Sequence, residues 1–120
     1  MISPVATTPR ANLVMRALAD PTRMAIYERI ARRGESSVVD LTDFARVSQP
    51  AVSQHLRALA DADLVAARRE GRKTFYRALP HGLAPLSTWI GQLEAIWEQR
   101  LDRFEAYLHT VQRNEKHRDR

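Results

Sequence analysis

The sequence predicts a mainly α-helical domain with a small β-hairpin. Apolar residues recur at spacings of three and four along most of the 120 residues, which is the period of an amphipathic helix. Two short segments of extended character flank a glycine at position 71, which is typical of a hairpin. With 44% hydrophobic and 28% charged residues, the composition is ordinary for a globular protein, and this length suffices for one compact domain.

Composition and motif content exclude several classes of function. The chain has no cysteine, which excludes disulfides, thiolate catalysis, a Cys-based zinc site and thiol redox sensing. No enzyme or cofactor motif is present, so we expect neither catalysis nor a cofactor. No apolar run reaches the roughly 18 residues of a membrane span, and Met1–Pro9 does not resemble a signal peptide, so a cytoplasmic location is expected. Nineteen basic residues against fourteen acidic ones suggest an anionic partner.

The N-terminal part of the chain predicts two helices after a flexible arm. Residues 1–9 contain two prolines and no periodicity, and a first helix is expected over Arg10–Leu18. Asp20-Pro21 begins a second helix, because aspartate caps the free N–H groups of the first turn and proline has no N–H to leave unpaired. This helix runs to about Arg32, and Gly34 ends it.

Two further helices are joined by a tight turn. Val38–Ala45 has apolar residues at helical spacing and predicts a third, short helix. Arg46-Val47-Ser48 is too short for anything but a turn, and Ser48 caps a fourth helix that continues to about Ala60. Two helices joined in this way form a helix-turn-helix unit.

A hairpin and a long helix complete the domain. Leu64–Arg69 and Lys73–Leu79 are extended segments around a three-residue loop, in which Gly71 is free to take a positive φ. After Pro80, an apolar seam at spacings of three and four predicts one uninterrupted helix. We expect the domain to span residues 10–112 and the charged residues 113–120 to form a flexible tail.

The fourth helix presents a polar outer face without carboxylates from Gln49 to Ala60. Val52, Leu56 and Leu59 point inward at 3.6 residues per turn. The outward side chains fit the DNA major groove, where glutamine pairs with adenine and arginine with guanine. An ordinary amphipathic surface helix would instead carry charges of both signs. The predicted base-reading residues are Gln49, Ser53, Gln54 and Arg57.

The hairpin carries most of the net charge. Five basic residues set against Glu70 give +4 over residues 68–77. A basic hairpin beside such a helix can grip phosphates or enter the minor groove, whereas protection of an exposed edge would explain only one or two basic residues. The residues predicted to contact the DNA backbone, on the hairpin and the fourth helix, are Ser48, His55, Arg68, Arg69, Arg72, Lys73 and Arg77.

The long last helix predicts a dimer. About 30 residues at 1.5 Å each give roughly 45 Å, so its apolar seam cannot all be covered within one chain. Exposed apolar patches mark interfaces, and a second copy is the simplest partner because a two-fold dimer matches a palindromic DNA site. The predicted interface residues are Leu13, Leu86, Trp89, Ile90, Leu93, Trp97, Leu101, Phe104 and Leu108.

Three segments resemble the winged helix-turn-helix repressors of the ArsR/SmtB family: Leu18–Arg23 (LADPTR), Ser48–Leu56 (SQPAVSQHL) and Arg69–Arg72 (REGR). The resemblance covers about residues 13–80 and is specific in order and spacing. It implies a winged helix-turn-helix with a long C-terminal dimerisation helix. It also implies a homodimeric transcriptional regulator, usually a repressor, often of its own operon, that leaves its operator when an effector arrives.

The family's usual metal sites are incomplete in this chain. Its thiolate site would fall where Ser37 and Val39 stand, and its site on the last helix lacks second ligands, so no metal is expected. Two alternatives remain beside the metal-independent repressor. One is a protein-interaction adaptor on the same fold. The other is a metal-responsive repressor that uses a stripe on the last helix, formed by Glu98, Asp102, Glu105 and His109.

Overall fold

The computed structural model describes residues 8–118, with side chains up to residue 115. This part of the chain forms five α-helices and a small antiparallel sheet, which confirms the predicted fold class. The elements are α1 (Pro9–Leu18), α2 (Pro21–Arg33), β1 (Ser36–Ser37), α3 (Val38–Ala45), α4 (Gln49–Asp61), β2 (Val65–Glu70), β3 (Lys73–Ala78) and α5 (Ala84–Arg118). Residues 1–7 of the expected flexible arm lie outside the described residues, and Pro9 begins α1.

Side-chain caps fix where the first four helices begin. The Asp20 carboxylate accepts the N–H of Arg23 at 2.9 Å, and the Ser48 hydroxyl accepts the N–H of Ala51 at 3.3 Å, as the sequence predicts. Thr8 and Ser37 cap α1 and α3 in the same way. These caps set the phase of each helix, and therefore which side chains face the core.

The core lies where α1, α2, α3, α4 and the sheet meet. The inward face of α4 is as predicted, because Val52, Leu56 and Leu59 are fully buried. Ile26 and Ile30 of α2 belong to the same buried cluster, together with residues of α1, α3 and β2. Burial of these apolar side chains anchors the helix-turn-helix from behind and leaves the opposite face of α4 in solvent.

The sheet differs from the prediction in its turn and in its size. Glu70 pairs with Lys73, so the hairpin turn has two residues, Gly71 and Arg72, where a three-residue loop was expected. Gly71 has φ +61°, the left-handed conformation that two-residue hairpins favour. The additional strand β1 pairs with β3 on the side away from β2. Its two serines are too few to show strand periodicity in the sequence.

The last helix is longer than the predicted one. Helix α5 has 35 residues, about 52 Å at 1.5 Å per residue, and the described chain extends over 83 Å. It continues to Arg118, so helical structure enters the segment expected to be a flexible tail. The first turns of α5 pack against α1 and, through Leu86, against the core. The distal turns project beyond the body of the domain.

Candidate nucleic-acid interface

Helix α4 presents the predicted polar face to solvent. Gln49, Gln54 and Arg57 are exposed, and Ser53 is half-buried. Asp61 is the only carboxylate in α4, and it lies at the C-terminal end. The outer face therefore offers donors and acceptors for base edges with no negative charge to repel phosphate.

His55 lies on the flank of this face, where α4 meets α2. Its Nδ1 accepts a hydrogen bond from Nε of Arg23 at 3.4 Å, and the ring is half-buried. The backbone N–H of Arg23 donates to the capping carboxylate of Asp20, and this hydrogen bond lowers the pKa of that carboxyl. His55 thus packs between two helices, and its predicted contact with the DNA backbone stays a prediction.

The wing, defined as β2, β3 and the turn between them, carries unpaired positive charge. Arg69, Arg72, Lys73 and Arg77 are exposed, and among the described residues none of them lies within 4.0 Å of a carboxylate oxygen. Charges that are not neutralised within the protein remain available to phosphates. These four predicted contacts therefore stand as candidates.

Arg68 differs from the other wing cations. Its Nη2 donates to Oε1 of Glu35 at 2.6 Å, and its Nη1 donates to Oε2 of Glu70 at 2.9 Å. Its guanidinium carbon also lies 4.9 Å from the centre of the Phe75 ring. Because two carboxylates already engage this guanidinium, its charge is less available to phosphates than those of the other wing cations, and the predicted phosphate contact by Arg68 stays a prediction.

The outer face of α4 and the wing tip share one recess of about 180 Å³. Gln49 and Ser53 line one side, and Arg72 and Lys73 line the other. The start of α3 and Thr74 complete the lining. The fold therefore brings two predicted base-reading residues beside two predicted backbone-contacting residues, although about 20 positions separate them in the sequence. Gln54 and Arg57 lie further along α4, outside this recess.

An apolar stripe lies exposed along the distal part of α5. Trp97 is 61% exposed, and Leu101 and Phe104 are nearly as open. Nearer the body, Leu86, Trp89 and Leu93 are half-buried, and Ile90 and Leu108 are exposed to about 40%. Leu13 of α1 is similarly open at 37%. The predicted interface residues thus form a surface that is only partly covered within one chain.

The acidic and imidazole side chains of α5 do not form a ligand cluster. Glu98, Asp102, Glu105 and His109 are all exposed. In the described part of the chain, no group of three or more His, Asp or Glu side chains is arranged to hold a metal ion. None of the described helices is long and apolar enough to cross a membrane.

A helix-turn-helix whose outer face is free of acid, beside a basic two-stranded wing, defines a winged helix-turn-helix DNA-binding domain. A family model described as a helix-turn-helix domain matches residues 18–68. The HTH-type transcriptional regulator Rv2034 of Mycobacterium tuberculosis is 46% identical over 85 residues, which are 71% of this chain and 76% of that protein. The HTH-type transcriptional repressor SmtB of the same species is 43% identical over 74 residues, 62% of this chain and 54% of that protein.

Solved structures agree with these sequence relatives. The crystal structure of the ArsR family transcriptional regulator RHA00566 matches with a TM-score of 0.70 at 26% identity, covering 78% of this chain and 96% of that one. The homodimeric winged helix-turn-helix domain Mb0332 of Mycobacterium bovis matches with a TM-score of 0.58 at 29% identity, covering 72% and 79%. The chain belongs to the ArsR/SmtB family of winged helix-turn-helix transcriptional regulators, and it is a regulator rather than an enzyme.

Proposed function

We propose that the protein is a homodimeric repressor that binds a palindromic operator. The observation that carries this proposal is the shared recess in which Gln49 and Ser53 of α4 lie beside Arg72 and Lys73 of the wing. A duplex whose major groove receives α4 would bring its backbone within reach of the wing tip. One surface can thereby combine base recognition with phosphate contact.

The α4 side chains are proposed to read base edges. Arg57 can donate two hydrogen bonds to guanine, and Gln49 and Gln54 can each pair with adenine through one amide. Ser53 is short enough to donate to either kind of base. Burial of the opposite face of α4 fixes the helix backbone, so the positions from which these side chains extend are set before DNA binds.

A second group of residues is proposed to hold the phosphates. The N-terminus of α4 directs a partial positive charge outward, and the Ser48 hydroxyl can donate from the same place. On the wing, cations without carboxylate partners are suited to the backbone. The proposed phosphate-contacting residues are Ser48, Arg69, Arg72, Lys73 and Arg77.

The homodimer is supported by the apolar stripe of α5. Trp97, Leu101 and Phe104 are each more than half exposed in the single chain, and a two-fold axis would cover them with the same residues of a second copy. The similar domain Mb0332 is described as homodimeric. Two copies of α4 related by such an axis would meet two half-sites of a palindrome.

The signal that releases this repressor is proposed not to be a thiophilic metal. The chain has no cysteine, and the four ligand-type side chains of α5 are exposed and form no cluster among the described residues. Micromolar zinc, nickel, cadmium or arsenite should therefore leave the DNA complex intact. Stoichiometric metal in the purified dimer, with release of DNA when metal is added, would instead support the metal-responsive alternative.

Binding to DNA can be measured directly by fluorescence anisotropy at several salt concentrations. The proposal predicts sub-micromolar affinity for a selected duplex, one dimer per duplex, and affinity that falls steeply with salt because phosphate contacts release counterions. The region upstream of the protein's own gene is the first candidate operator. Affinity no better than that for random DNA would overturn sequence-specific repression and support the adaptor alternative.

A further inference from the structure

Arg68 is held by contacts that span the sheet. Its Nε lies 3.2 Å from both carboxylate oxygens of Glu35, and its Nη2 lies 2.6 Å from Oε1 of the same residue. The third nitrogen, Nη1, donates to Oε2 of Glu70 on the same strand at 2.9 Å. The guanidinium packs on Phe75, the residue directly opposite in the neighbouring strand. All three guanidinium nitrogens therefore have carboxylate partners.

Glu35 connects this cluster to the helix-turn-helix. It lies between Gly34, which ends α2, and β1, whose Ser37 caps α3. Phe75 pairs with Ser37 on one side and with Arg68 on the other, so the Glu35–Arg68 pair bridges the two outer strands of the sheet across β3. The hydrogen bonds from Arg68 lower the pKa of Glu35, so this carboxylate stays ionised at neutral pH. The contact thus joins the far strand of the wing to the start of the DNA-binding unit.

We propose that Glu35 and Arg68 are positioning residues that set the place of the wing relative to α4. They keep Arg72 and Lys73 beside Gln49 and Ser53 without contacting DNA themselves. This inference rests on the proposed function, in which α4 and the wing hold the same duplex. It also reassigns Arg68, which the sequence predicts to be a phosphate contact.

Replacement of Glu35 distinguishes the two roles of Arg68 by the sign of the effect. If Arg68 grips phosphate, Glu35→Gln removes a competing carboxylate and a repulsive charge, and binding should tighten. If Arg68 positions the wing, Glu35→Gln frees the wing to move relative to α4. Operator binding should then weaken even though the protein has become more positive. Exposed ion pairs have modest effects, so we expect a loss of about threefold or somewhat more.

Glu28→Gln is the matched control. Glu28 pairs with Arg32 at 2.8 Å on the surface of α2. Like Glu35→Gln, this variant therefore breaks an exposed ion pair and raises the net charge by one. Its affinity for the operator should be unchanged or slightly higher. Arg68→Lys keeps the charge but loses the planar bidentate geometry, so it should be as weak as Glu35→Gln. In the double variant Glu35→Gln/Arg68→Lys, the two losses should not add, because both disrupt the same contact.

A second readout needs no DNA. Hydrogen exchange at the backbone amides that pair β1 with β3 reports the opening of that ladder in the free protein. Glu35→Gln and Arg68→Lys should speed exchange there, with the thermal midpoint close to that of the parent, and Glu28→Gln should not.

The outcomes separate this inference from the proposed function. Weaker operator binding together with faster exchange in both Glu35→Gln and Arg68→Lys supports positioning. Operator binding by Glu35→Gln that is equal to or tighter than that of the parent, or exchange that matches the parent, would overturn it. If the parent itself selects no DNA sequence, the proposed function fails, while the exchange measurement still tests whether this pair holds the sheet.

Discussion

Gln54 is the residue whose replacement should affect sequence discrimination most cleanly. It is exposed in the middle of α4 and forms no side-chain hydrogen bond among the described residues, so its removal leaves the fold undisturbed. Gln54→Ala should cost about 1 to 3 kcal/mol on the preferred operator and little on random DNA, because a base-edge hydrogen bond exists only on the correct sequence. Competition binding with both duplexes checks this. An unchanged preference would remove Gln54 from the base-reading set.

Arg72 and Lys73 should behave in the opposite way. Both are exposed at the wing tip and free of ion pairs among the described residues, so their charges are available to phosphates. Replacing both by alanine should weaken specific and random DNA alike. The slope of log affinity against log salt should become shallower by up to about 2, at roughly 0.9 per lost phosphate contact. A double variant that kept the parent's slope would contradict the assignment.

At the level of single residues, local chemistry was readable from the sequence and long-range pairing was not. The caps at Asp20 and Ser48 act within three positions, so the sequence alone predicts them. The engagement of Arg68 by Glu35 depends on the sheet register, which brings together residues 33 positions apart. The sequence alone therefore does not distinguish Arg68, which is paired with carboxylates, from the neighbouring basic residues of the wing.

Among the elements, the connection between β3 of the wing and α5 requires a glycine at position 82. A Cβ at Gly82 would lie 2.5 Å from the backbone oxygen of Asp63 and 3.1 Å from Cα of Leu64, both of which are fixed by the main chain. Gly82→Ala should therefore destabilise the fold by roughly 1 to 3 kcal/mol through overpacking.

Gly91→Ala is its control within α5. A Cβ at Gly91 meets nothing within 4 Å, and alanine is the better helix former, so this variant should gain about 0.5 to 1 kcal/mol. Chemical denaturation of both variants gives the two free energies of unfolding. If the two substitutions change the free energy of unfolding equally and in the same direction, the close backbone contacts at Gly82 are not the reason that this position requires glycine.

The helices were more predictable than the sheet for a physical reason. Helix α4 repeats its apolar period over 13 residues and carries a cap, so its start and its buried face follow from the sequence. Strand β1 has two residues and forms only because β3 lies beside it. The hairpin turn was predicted one residue too long, because alternation along the strands does not fix the pairing of Glu70 with Lys73.

For the whole molecule, the dimer should depend on the distal stripe of α5. Trp97 is 61% exposed in the single chain and lies in line with Leu101 and Phe104. Trp97→Glu would place an unpaired charge in an apolar interface, which costs several kcal/mol, so the variant should sediment as a monomer. The parent should sediment as a dimer at micromolar concentration. A monomeric parent would refute the proposed assembly.

The central claim is that two copies of α4, related by a two-fold axis, read DNA while their wings hold its backbone. Selection of duplexes from a random pool by the full-length protein, followed by sequencing, tests this most directly. We expect an enriched inverted repeat whose half-sites are centred about one helical turn, or a multiple of it, apart. Recovery of no common sequence, or of a single half-site without its inverted partner, would contradict it.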